Sequence, residues 1–321
     1  MSVSRTLYEV PAPAKLNLFL HVTGRGNDGY HRLQTVFRLI DLQDRLHFER
    51  RNDGKILCSQ PTLQGLAETD DLCHRAAQLL QRATGTRYGV SWHCDKRIPA
   101  GAGLGGGSSD AASTLIALNR LWGLGLSRLQ LMRLGVQLGA DVPVFVFGRN
   151  AFAQGIGEQL QPITLPIRQY SLWLPNTFLS TPKVFSAKSL TRNTKPVTIM
   201  DFAQWQIDQD CNAEAPSPVA RAKAFQSCAL FGHNDLQPVA SSLSPEVASV
   251  LRLLQSLGLH ARMTGSGSCV FLEFPKNNTA IRQHSQISGR ILHLTQSLQP
   301  LVKQSWFVDG LDYHPLYTWL N

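Results

Sequence analysis

Alternating apolar and polar positions mark the strand-like parts of the first half of the chain. The runs of this kind are 14–22, Leu33–Leu42, Leu46–Glu49, Ile56–Cys58 and Val90–Cys94. The alternation in 14–22, AKLNLFLHV, predicts a strand with one buried face. The turn signal Asn52-Asp53-Gly54 predicts a hairpin between the two runs that flank it.

Apolar residues recur at three- and four-residue steps elsewhere, which predicts amphipathic helices. The predicted helices are Asp70–Ala83, Ser109–Trp122, Ser127–Leu138 and Pro245–Leu257. Thr264–Glu273 is a glycine-rich, hairpin-like run, whereas 191–220 are polar and poorly patterned. Helices that alternate with mostly antiparallel strands predict an α+β protein in two halves, 1–165 and 166–321.

Composition narrows the class of protein without assigning a function. The 321 residues are 43% hydrophobic and 17% charged, as in a globular protein with room for two domains. The net charge of +9 has scattered sources, and the densest basic cluster, Arg50-Arg51 with Lys55, is too short for a nucleic-acid arm. An enzyme that binds polyanionic small molecules carries the same charge balance.

The cellular location of the protein and the redox state of its cysteines can be predicted from patterns that the sequence lacks. The first residues have no apolar signal-peptide core, and no stretch approaches the roughly 20 apolar residues of a membrane span. We therefore expect a cytoplasmic protein with no membrane partner. The six cysteines form no CxxC pair, and we expect free thiols.

The segment Pro99–Ser109, PAGAGLGGGSS, predicts a loop that cradles phosphate. Glycines let the backbone approach a phosphate closely and turn N–H groups toward it. A helix that begins at Ser108 or Ser109 would add unpaired N–H donors and the positive end of its dipole. A flexible connector is the alternative, but such linkers rarely lead directly into a well-patterned helix.

Two familiar phosphate loops do not fit this segment. Gly101-x-Gly103-x-x-Gly106 satisfies the dinucleotide fingerprint, but residues 119–129 contain no acidic residue to hold a ribose. A Walker A loop ends in Gly-Lys-Ser/Thr, and this loop has no lysine. The loop therefore belongs to another class of nucleotide site.

The loop resembles the second motif of the GHMP kinase superfamily, which holds ATP. Further motifs similar to that superfamily follow in its order: Pro13–Leu20, Asp28–His31, Gly139–Phe145 and Thr264–Ser268. The resemblance implies an α+β, two-domain GHMP kinase fold, with an N-terminal ribosomal S5 domain 2-like ATP-binding domain and a C-terminal ferredoxin-like domain. It further implies phosphoryl transfer from ATP to the 2-hydroxyl of the methylerythritol part of a cytidine diphosphate-linked polyol bound between them.

The resemblance makes Asp141 the catalytic base and Lys15 its partner. Asp141, two residues before Pro143, is equally typical of a helix N-cap, and the two roles are compatible. Strand alternation puts Lys15 on one face with Asn17. Beside Asp141, the lysine would favour the charged carboxylate and polarise the hydroxyl. The alternative is that the alkyl part of the Lys15 side chain only packs within the strand and its amine is exposed to solvent.

ATP and Mg²⁺ are the implied co-substrate and metal. The expected ATP-binding residues are Lys96, Pro99, Ala100, Gly101, Ala102, Gly103, Leu104, Gly105, Gly106, Gly107, Ser108 and Ser109. Ser108 or Ser109 would hold the metal with ATP oxygens and waters, since no carboxylate cluster suggests a dedicated cage.

The chain departs from the family at Asp70-Asp71-Leu72, where Asp-Asn-Leu is common and its Asn contacts adenine. An ionised Asp71 cannot donate, which shifts adenine recognition to backbone groups or Lys96.

The implied acceptor site is built around a cytosine clamp. The expected substrate-binding residues are Asn17, Tyr30, His31, Thr181, Phe185, Gly265, Ser266 and Gly267. Tyr30 and Phe185 would stack on the base and His31 would hydrogen-bond its edge, although a core position is the alternative for Phe185. Thr264–Ser268 would lie near the acceptor diphosphate.

The expected partners are ATP and this acceptor, without nucleic acid, in a monomer or weak homodimer. Two other functions stay open at this point. One is another GHMP-type kinase, similar to mevalonate or homoserine kinase. The other is a non-catalytic nucleotide or nucleic-acid binder, in which Lys15 and Asp141 would be dispensable and polynucleotide binding would depend strongly on salt.

Overall fold

Two long antiparallel strands, β1 (Thr6–Arg25) and β2 (His31–Arg51), organise the fold in a computed structural model that describes residues 5–60, 62, 67–213, 230–275 and 294–320. Residues 14–22 are almost entirely buried, so the prediction of one exposed face is wrong. Both faces are covered, by core residues on one side and by the functional loops on the other. The two runs predicted between Leu33 and Glu49 form one continuous strand.

The remaining strands extend this sheet in both directions. Their bounds are β3 Ile56–Cys58, β4 Gly89–Asp95, β5 Ala151–Gln154, β6 Gln159–Pro162, β7 Arg168–Pro175, β8 Arg262–Met263, β9 Val270–Pro275 and β10 Val302–Leu311. The strand order is β3-β4-β2-β10-β7-β9-β8, with β1 and β5 also paired to β2, and β6 to β5. Among these described strands the pairing is antiparallel except between β3 and β4, which confirms the predicted character of the sheet.

The predicted hairpin at Asn52-Asp53-Gly54 is wrong. β3 does not return along β2; it pairs in parallel with Val90–Trp92 of β4. The edge of β2 that a hairpin would use, residues 45–51, is already taken by β4. Asp53 folds back onto the Arg51 guanidinium instead, with oxygens 2.9 and 2.5 Å from its nitrogens.

The predicted helices are present, with shifted ends. The helices are α1 Leu72–Thr84, α2 Gly106–Leu121, α3 Arg128–Val136, α4 Val142–Phe147, α5 Thr181–Ser186, α6 Ile199–Ala213, α7 Leu236–Leu243 and α8 Pro245–Ser256. Ser127 caps α3 through a reciprocal capping box with Gln130, as its position predicts. α2 begins at Gly106, earlier than predicted, so the helix starts inside the glycine loop.

Separate apolar clusters occupy the two halves. In the first, α1 and α2 pack on β1, β2 and β4 around residues such as Trp92 and Leu115. In the second, α8 packs on β7 and β9 around Trp173. The C-terminal Leu316 and Leu320 return to the first cluster. The boundary at 165/166 stays a prediction.

The segment 191–220, which we expected to be poorly patterned, contains helix α6. Phe202 on this helix is 1% exposed and packs with Phe19, Val36 and Phe152 of the strands. Ile199 and Trp205 of the same helix pack against this cluster as well, so the three-residue spacing of 199, 202 and 205 carries the signal for this helix. Residues 214–220 lie outside the described residues.

Two further expectations can be compared with the structure. Cys58, Cys73, Cys94 and Cys269 are free thiols, as predicted, whereas the side chains of Cys211 and Cys228 lie outside the described part. No helix among the described residues is long and apolar enough to cross a membrane.

Replacing Phe202 by Ala will destabilise the protein, because it leaves a cavity between α6 and the sheet. We expect a loss of about 3–5 kcal/mol in the free energy of unfolding, measured by chemical denaturation. Met200 on the same helix is 71% exposed, so Met200→Ala is the matched control with little effect. Equal, small effects of both changes would mean that α6 does not pack on the sheet.

His314 fastens the C-terminal segment to α2. Its Nδ1 accepts the Leu316 N–H at 3.0 Å, and its Nε2 lies 3.4 Å from the Ser113 hydroxyl. Burial, with a contribution from the positive charge of Arg128, lowers the pKa of His314 to about 3. A proton on Nδ1 would face another N–H donor, so the folded state holds the ring neutral.

Stability should therefore fall as the pH falls from about 6.5 toward 3, because the unfolded chain binds a proton that folded His314 does not. The slope from this one group is at most about 1.4 kcal/mol per pH unit. His21, whose pKa burial lowers to about 4, contributes in the same range. In His314→Asn, whose amide oxygen can still accept from Leu316, the free energy of unfolding should depend less on pH. The exposed His260→Asn is the control, and an unchanged slope in His314→Asn contradicts the prediction.

Candidate active site

A cavity of about 1020 Å³ lies where β1 and β2 meet the glycine loop, the start of α4 and the turn before β9. Of the loop Pro99–Ser109, every residue except Leu104 and Ser109 lines this cavity. The other predicted site residues on its wall are Lys15, Asn17, Tyr30, His31, Lys96, Asp141, Thr181, Phe185, Gly265 and Ser266. Gly267 is not on the wall. The fold thus brings nearly the whole predicted set to one place.

The glycine loop turns sharply at three alternate residues. Gly101, Gly103 and Gly105 have φ angles of 68°, 76° and 75°, a region that favours glycine. Leu104 between them is buried and packs in the apolar cluster under the cavity. The alternation thus anchors the loop through Leu104 while its glycines form the wall.

The end of the loop is an open helix N-terminus. Gly105 is the N-cap of α2 and provides no side-chain cap, so the first-turn N–H groups have no capping acceptor from a side chain. Such a terminus favours an anion. The Ser109 hydroxyl donates to the Pro13 carbonyl at 2.7 Å and faces the core, which leaves Ser108 as the serine on the cavity wall.

The glycine loop is in backbone contact with the turn 264–267. A Cβ on Gly103 would lie 2.3 Å from the Thr264 carbonyl oxygen, and one on Gly265 would lie 3.0 Å from the Gly103 oxygen. The Cys269 N–H donates to the Ala102 carbonyl at 3.1 Å. The two glycine motifs therefore pack together in a space that admits no side chain.

Lys15 and Asp141 form an ion pair on the wall, with 3.4 Å between Nζ and Oδ2. Lys15 is 3% exposed, and its ammonium also donates to Asn17 Oδ1 at 2.6 Å and to the Gly103 carbonyl at 3.1 Å. Lys15 and Asn17 share a face of β1, as the alternation predicts. The lysine is a fixed component of the cavity wall and not an exposed amine.

Asp141 stands at the N-cap position of α4 but makes no capping hydrogen bond with its side chain. Its carboxylate is instead directed to Lys15 and remains 35% exposed. The α4 residue Phe145 lies against Gly105 of the glycine loop. This contact holds the start of α4 next to the loop. A carboxylate that is partly open to the cavity can accept a proton from a bound hydroxyl group.

Lys96 is held by two buried carboxylates. Its ammonium donates to Asp44 and, at 2.6 Å, to Asp110. Burial lowers the pKa of Lys96, but the charges of Asp110 and Asp44 outweigh this and raise it above the usual value. Burial raises the pKa of Asp110 against the effect of Lys96. With two of its three N–H donors engaged, Lys96 keeps one for another group.

Asp44 also positions the chain that enters the loop. Its Oδ1 accepts from the Arg97 and Ile98 N–H groups, the latter at 2.8 Å. Asp71, where the family commonly has Asn, caps α1 by accepting from the Cys73 N–H at 2.7 Å. Both aspartates therefore orient backbone around the cavity.

The far end of the cavity is aromatic. The rings of His31 and Phe185 lie 5.2 Å apart at 39°, whereas Tyr30 is 62% exposed at the rim. Thr181 and Ser266 share a hydrogen bond of 2.7 Å, which joins α5 to the second glycine turn. These residues form an aromatic compartment of the same cavity that the glycine loop lines.

Comparison with known proteins agrees with this geometry. Residues 71–149 match the GHMP kinases N terminal domain, and residues 220–290 match the GHMP kinases C terminal domain. The 4-diphosphocytidyl-2-C-methyl-D-erythritol kinase of Bordetella parapertussis is 51% identical over 318 residues, 98% of this chain and 99% of that one. The enzyme of the same name from Nitrosospira multiformis is 50% identical over 96% of this chain and 92% of its own.

The chain belongs to the 4-diphosphocytidyl-2-C-methyl-D-erythritol kinases of the GHMP kinase family. A crystal structure of 4-(cytidine 5'-diphospho)-2C-methyl-D-erythritol kinase is 32% identical, with a TM-score of 0.70 over 95% of this chain and 98% of that one. A homoserine kinase from Cytophaga hutchinsonii, 14% identical, has a TM-score of 0.65 over 98% and 97% of the two chains, which shows the shared fold. The predicted two-domain α+β GHMP kinase fold is confirmed.

Sequence reasoning about this kinase missed several residues on or next to the wall. They are Thr35, Asp44, Asp110 and Arg192. Asp110 follows the two serines of the loop directly, and this position could have indicated it. Asp44 and Arg192 had no such signal, because long-range pairing brings them to the site.

Gly103→Ala should disrupt the kinase at the contact between the glycine turns. The new Cβ meets a backbone carbonyl and its φ is positive, so we expect a lower melting temperature and at least about tenfold weaker ATP binding. Fluorescent-nucleotide titration and thermal unfolding measure both effects.

Gly24→Ala is the matched control for this change, since its Cβ meets nothing within 4 Å and needs no positive φ. Wild-type stability and ATP affinity in Gly103→Ala would show that the two turns are not in close contact.

Proposed function

We propose that this protein transfers the γ-phosphate of ATP to the 2-hydroxyl of 4-diphosphocytidyl-2-C-methyl-D-erythritol, giving the 2-phosphate and ADP in the non-mevalonate route to isoprenoid precursors. The names of its relatives support this reaction. The observation that carries the proposal is the position of the Lys15–Asp141 pair on one wall with both the glycine loop and the His31–Phe185 compartment.

ATP binds with its phosphates on the glycine loop in this proposal. The open N-terminus of α2 supplies N–H donors and a positive dipole to the anion. Lys96, with one N–H left, is suited to the nucleotide side. Mg²⁺ would offset the phosphate charge, and Ser108, whose side chain is on the cavity wall, would help to hold it. A single hydroxyl fits an ion held mainly by nucleotide oxygens and water.

Phosphoryl transfer requires positioning, charge stabilisation and a group that accepts the hydroxyl proton. The 2-hydroxyl oxygen attacks the γ-phosphorus, its proton passes to Asp141, and the bond to ADP breaks. Lys15 attracts both the carboxylate and the developing charge on the attacking oxygen. Its contacts with Asn17 and Gly103 hold the ammonium in place before substrate arrives, so no reorganisation accompanies the reaction.

The cytidine end of the acceptor binds in the aromatic compartment. Phe185 and Tyr30 provide ring faces for the base and His31 provides a hydrogen bond. Gly265 and Ser266 lie toward the diphosphate, whereas Gly267 supports the turn from behind. A cytoplasmic monomer or weak homodimer without a nucleic-acid partner completes the proposal.

Asp141→Asn tests the proton acceptor. The amide keeps the size of the side chain but cannot take a proton, so kcat should fall by about 10²–10⁴ while ATP binding changes little. ATP-dependent phosphorylation of 4-diphosphocytidyl-2-C-methyl-D-erythritol, followed by ³¹P NMR or coupled ADP release, is the measurement. Asp208→Asn on α6, which is exposed and does not line the cavity, is the control. Full activity in Asp141→Asn removes the general-base role.

The same assay separates the two other functions. Phosphorylation of mevalonate or homoserine in preference to the cytidine-containing alcohol would indicate another GHMP-type kinase. ATP binding without turnover of any acceptor, unchanged by Lys15→Met or Asp141→Asn, would indicate a nucleotide-binding protein.

A further inference from the structure

Arg192 makes a hydrogen bond that determines the chemical state of His31. Its Nε lies 3.0 Å from His31 Nε2. A guanidinium has N–H donors and no acceptor, so His31 Nε2 must present its lone pair. A neutral imidazole carries a single ring proton, which then resides on Nδ1.

The rest of Arg192 is fixed by backbone carbonyls. Nη1 donates to Leu190 O at 3.0 Å, and Nη2 donates to Phe185 O at 3.1 Å and Ala187 O at 2.8 Å. The guanidinium therefore cannot rotate away from His31 without breaking these bonds. The same contacts hold the backbone of Phe185, the ring partner of His31.

The surroundings of His31 also oppose its protonation. Burial, then the positive charges of Arg192 and Arg25, lower the pKa of His31. An imidazolium would place two donors against each other at the Arg192 contact. His31 thus stays a neutral ring with one donor, and Nδ1 has no hydrogen-bond partner within the part of the chain that the structure describes.

We propose that Arg192 is a positioning residue that holds His31 as an Nδ1–H donor, and that this selects an acceptor substrate whose base offers a lone pair at ring N3. The inference deepens the proposed function and rests on it. Cytosine presents acceptors at N3 and O2. Uracil presents an N–H donor at N3, which would oppose the His31 donor. A ring free to exchange its tautomers could accept from uracil instead.

The tautomer can be read without any enzymatic activity. Long-range ¹H–¹⁵N spectra distinguish a ring protonated at Nδ1 from one protonated at Nε2, and comparison with His31→Gln assigns His31 among the ten histidines. We expect the Nδ1–H form in the wild type and a shift toward the Nε2–H form in Arg192→Met. An Nε2–H ring in the wild type, or an Nδ1–H ring that persists in folded Arg192→Met, overturns the proposal.

Arg25→Met is the matched control for charge. Arg25 is an exposed neighbour that acts on His31 electrostatically, and its Nε donates to Gly29 O, not to the imidazole. The Nδ1–H form should persist in this variant. Arg192→Lys retains a donor without an acceptor and should restore the Nδ1–H form at least in part.

Kinetics then tests selection of the base. With the cytidine-linked acceptor, Arg192→Met should raise KM by about tenfold and change kcat little, because only binding of the base is affected. The preference for the cytidine-linked over the uridine-linked acceptor should fall by about tenfold or more. In a His31→Phe background the Arg192 change should add little to the loss of preference, since Arg192 acts through His31. Full addition of the two effects contradicts the proposal.

Failure of this inference is distinguishable from failure of the proposed function. A wild type that does not phosphorylate the cytidine-linked acceptor refutes the proposed function, whereas the tautomer remains measurable. A wild type that does phosphorylate it, with an Nε2–H His31 or with an unchanged base preference in Arg192→Met, refutes only the role of Arg192. Thermal unfolding identifies any variant whose loss reflects folding.

Discussion

The close contact between the two glycine turns is the constraint on which the site depends. Gly103 lies against the Thr264 carbonyl, and the neighbouring Ala102 carbonyl accepts from the Cys269 N–H, so direct backbone contacts hold the glycine loop against the turn 264–267. The loop is also bonded to β1, because the Lys15 N–H donates to the Leu104 carbonyl at 3.0 Å and the Lys15 ammonium donates to Gly103. The glycine loop and the Lys15–Asp141 pair are consequently one mechanical unit, and a displacement of either turn also moves the lysine.

Three cations around the cavity, buried Lys15 and partly buried Lys96 and Arg192, are held by several polar partners each. Lys15 has an amide oxygen, a carbonyl and Asp141; Lys96 has Asp44 and Asp110; Arg192 has three carbonyls and an imidazole. Removing a charge from water is costly unless its hydrogen bonds are replaced, and each cation here has two or more polar partners. The donors of the site therefore point in fixed directions before a substrate binds. Such fixed donors stabilise the charge of a transition state better than mobile water molecules do.

Local patterns predicted the features that depend on local chemistry. The glycine loop, the shared face of Lys15 and Asn17, and the cap at Ser127 each follow from residue types at fixed spacing, and the resemblance to a family extended them to Asp141 and the aromatic compartment. The errors concern long-range packing. β3 pairs with β4 because β4 occupies the edge of β2, and residues 14–22 are buried on both faces because the loops cover the second one. Arg192 lies in a segment with no periodicity, so only the fold reveals its contact with His31.

Asp71 shows how a departure from the family pattern can leave the fold intact. Asn and Asp are equally good N-caps, and Asp71 fills this role by accepting from Cys73. Exchanging one for the other therefore keeps α1 in place against α2 and the cavity, while it replaces a neutral amide that can donate by a carboxylate that, when ionised, is negative and only accepts. The capping hydrogen bond needs only an oxygen acceptor, so the loss of a side-chain donor at this position does not disturb the helix. Lys96, which Asp44 and Asp110 hold on the same cavity wall, keeps one N–H donor that neither carboxylate uses.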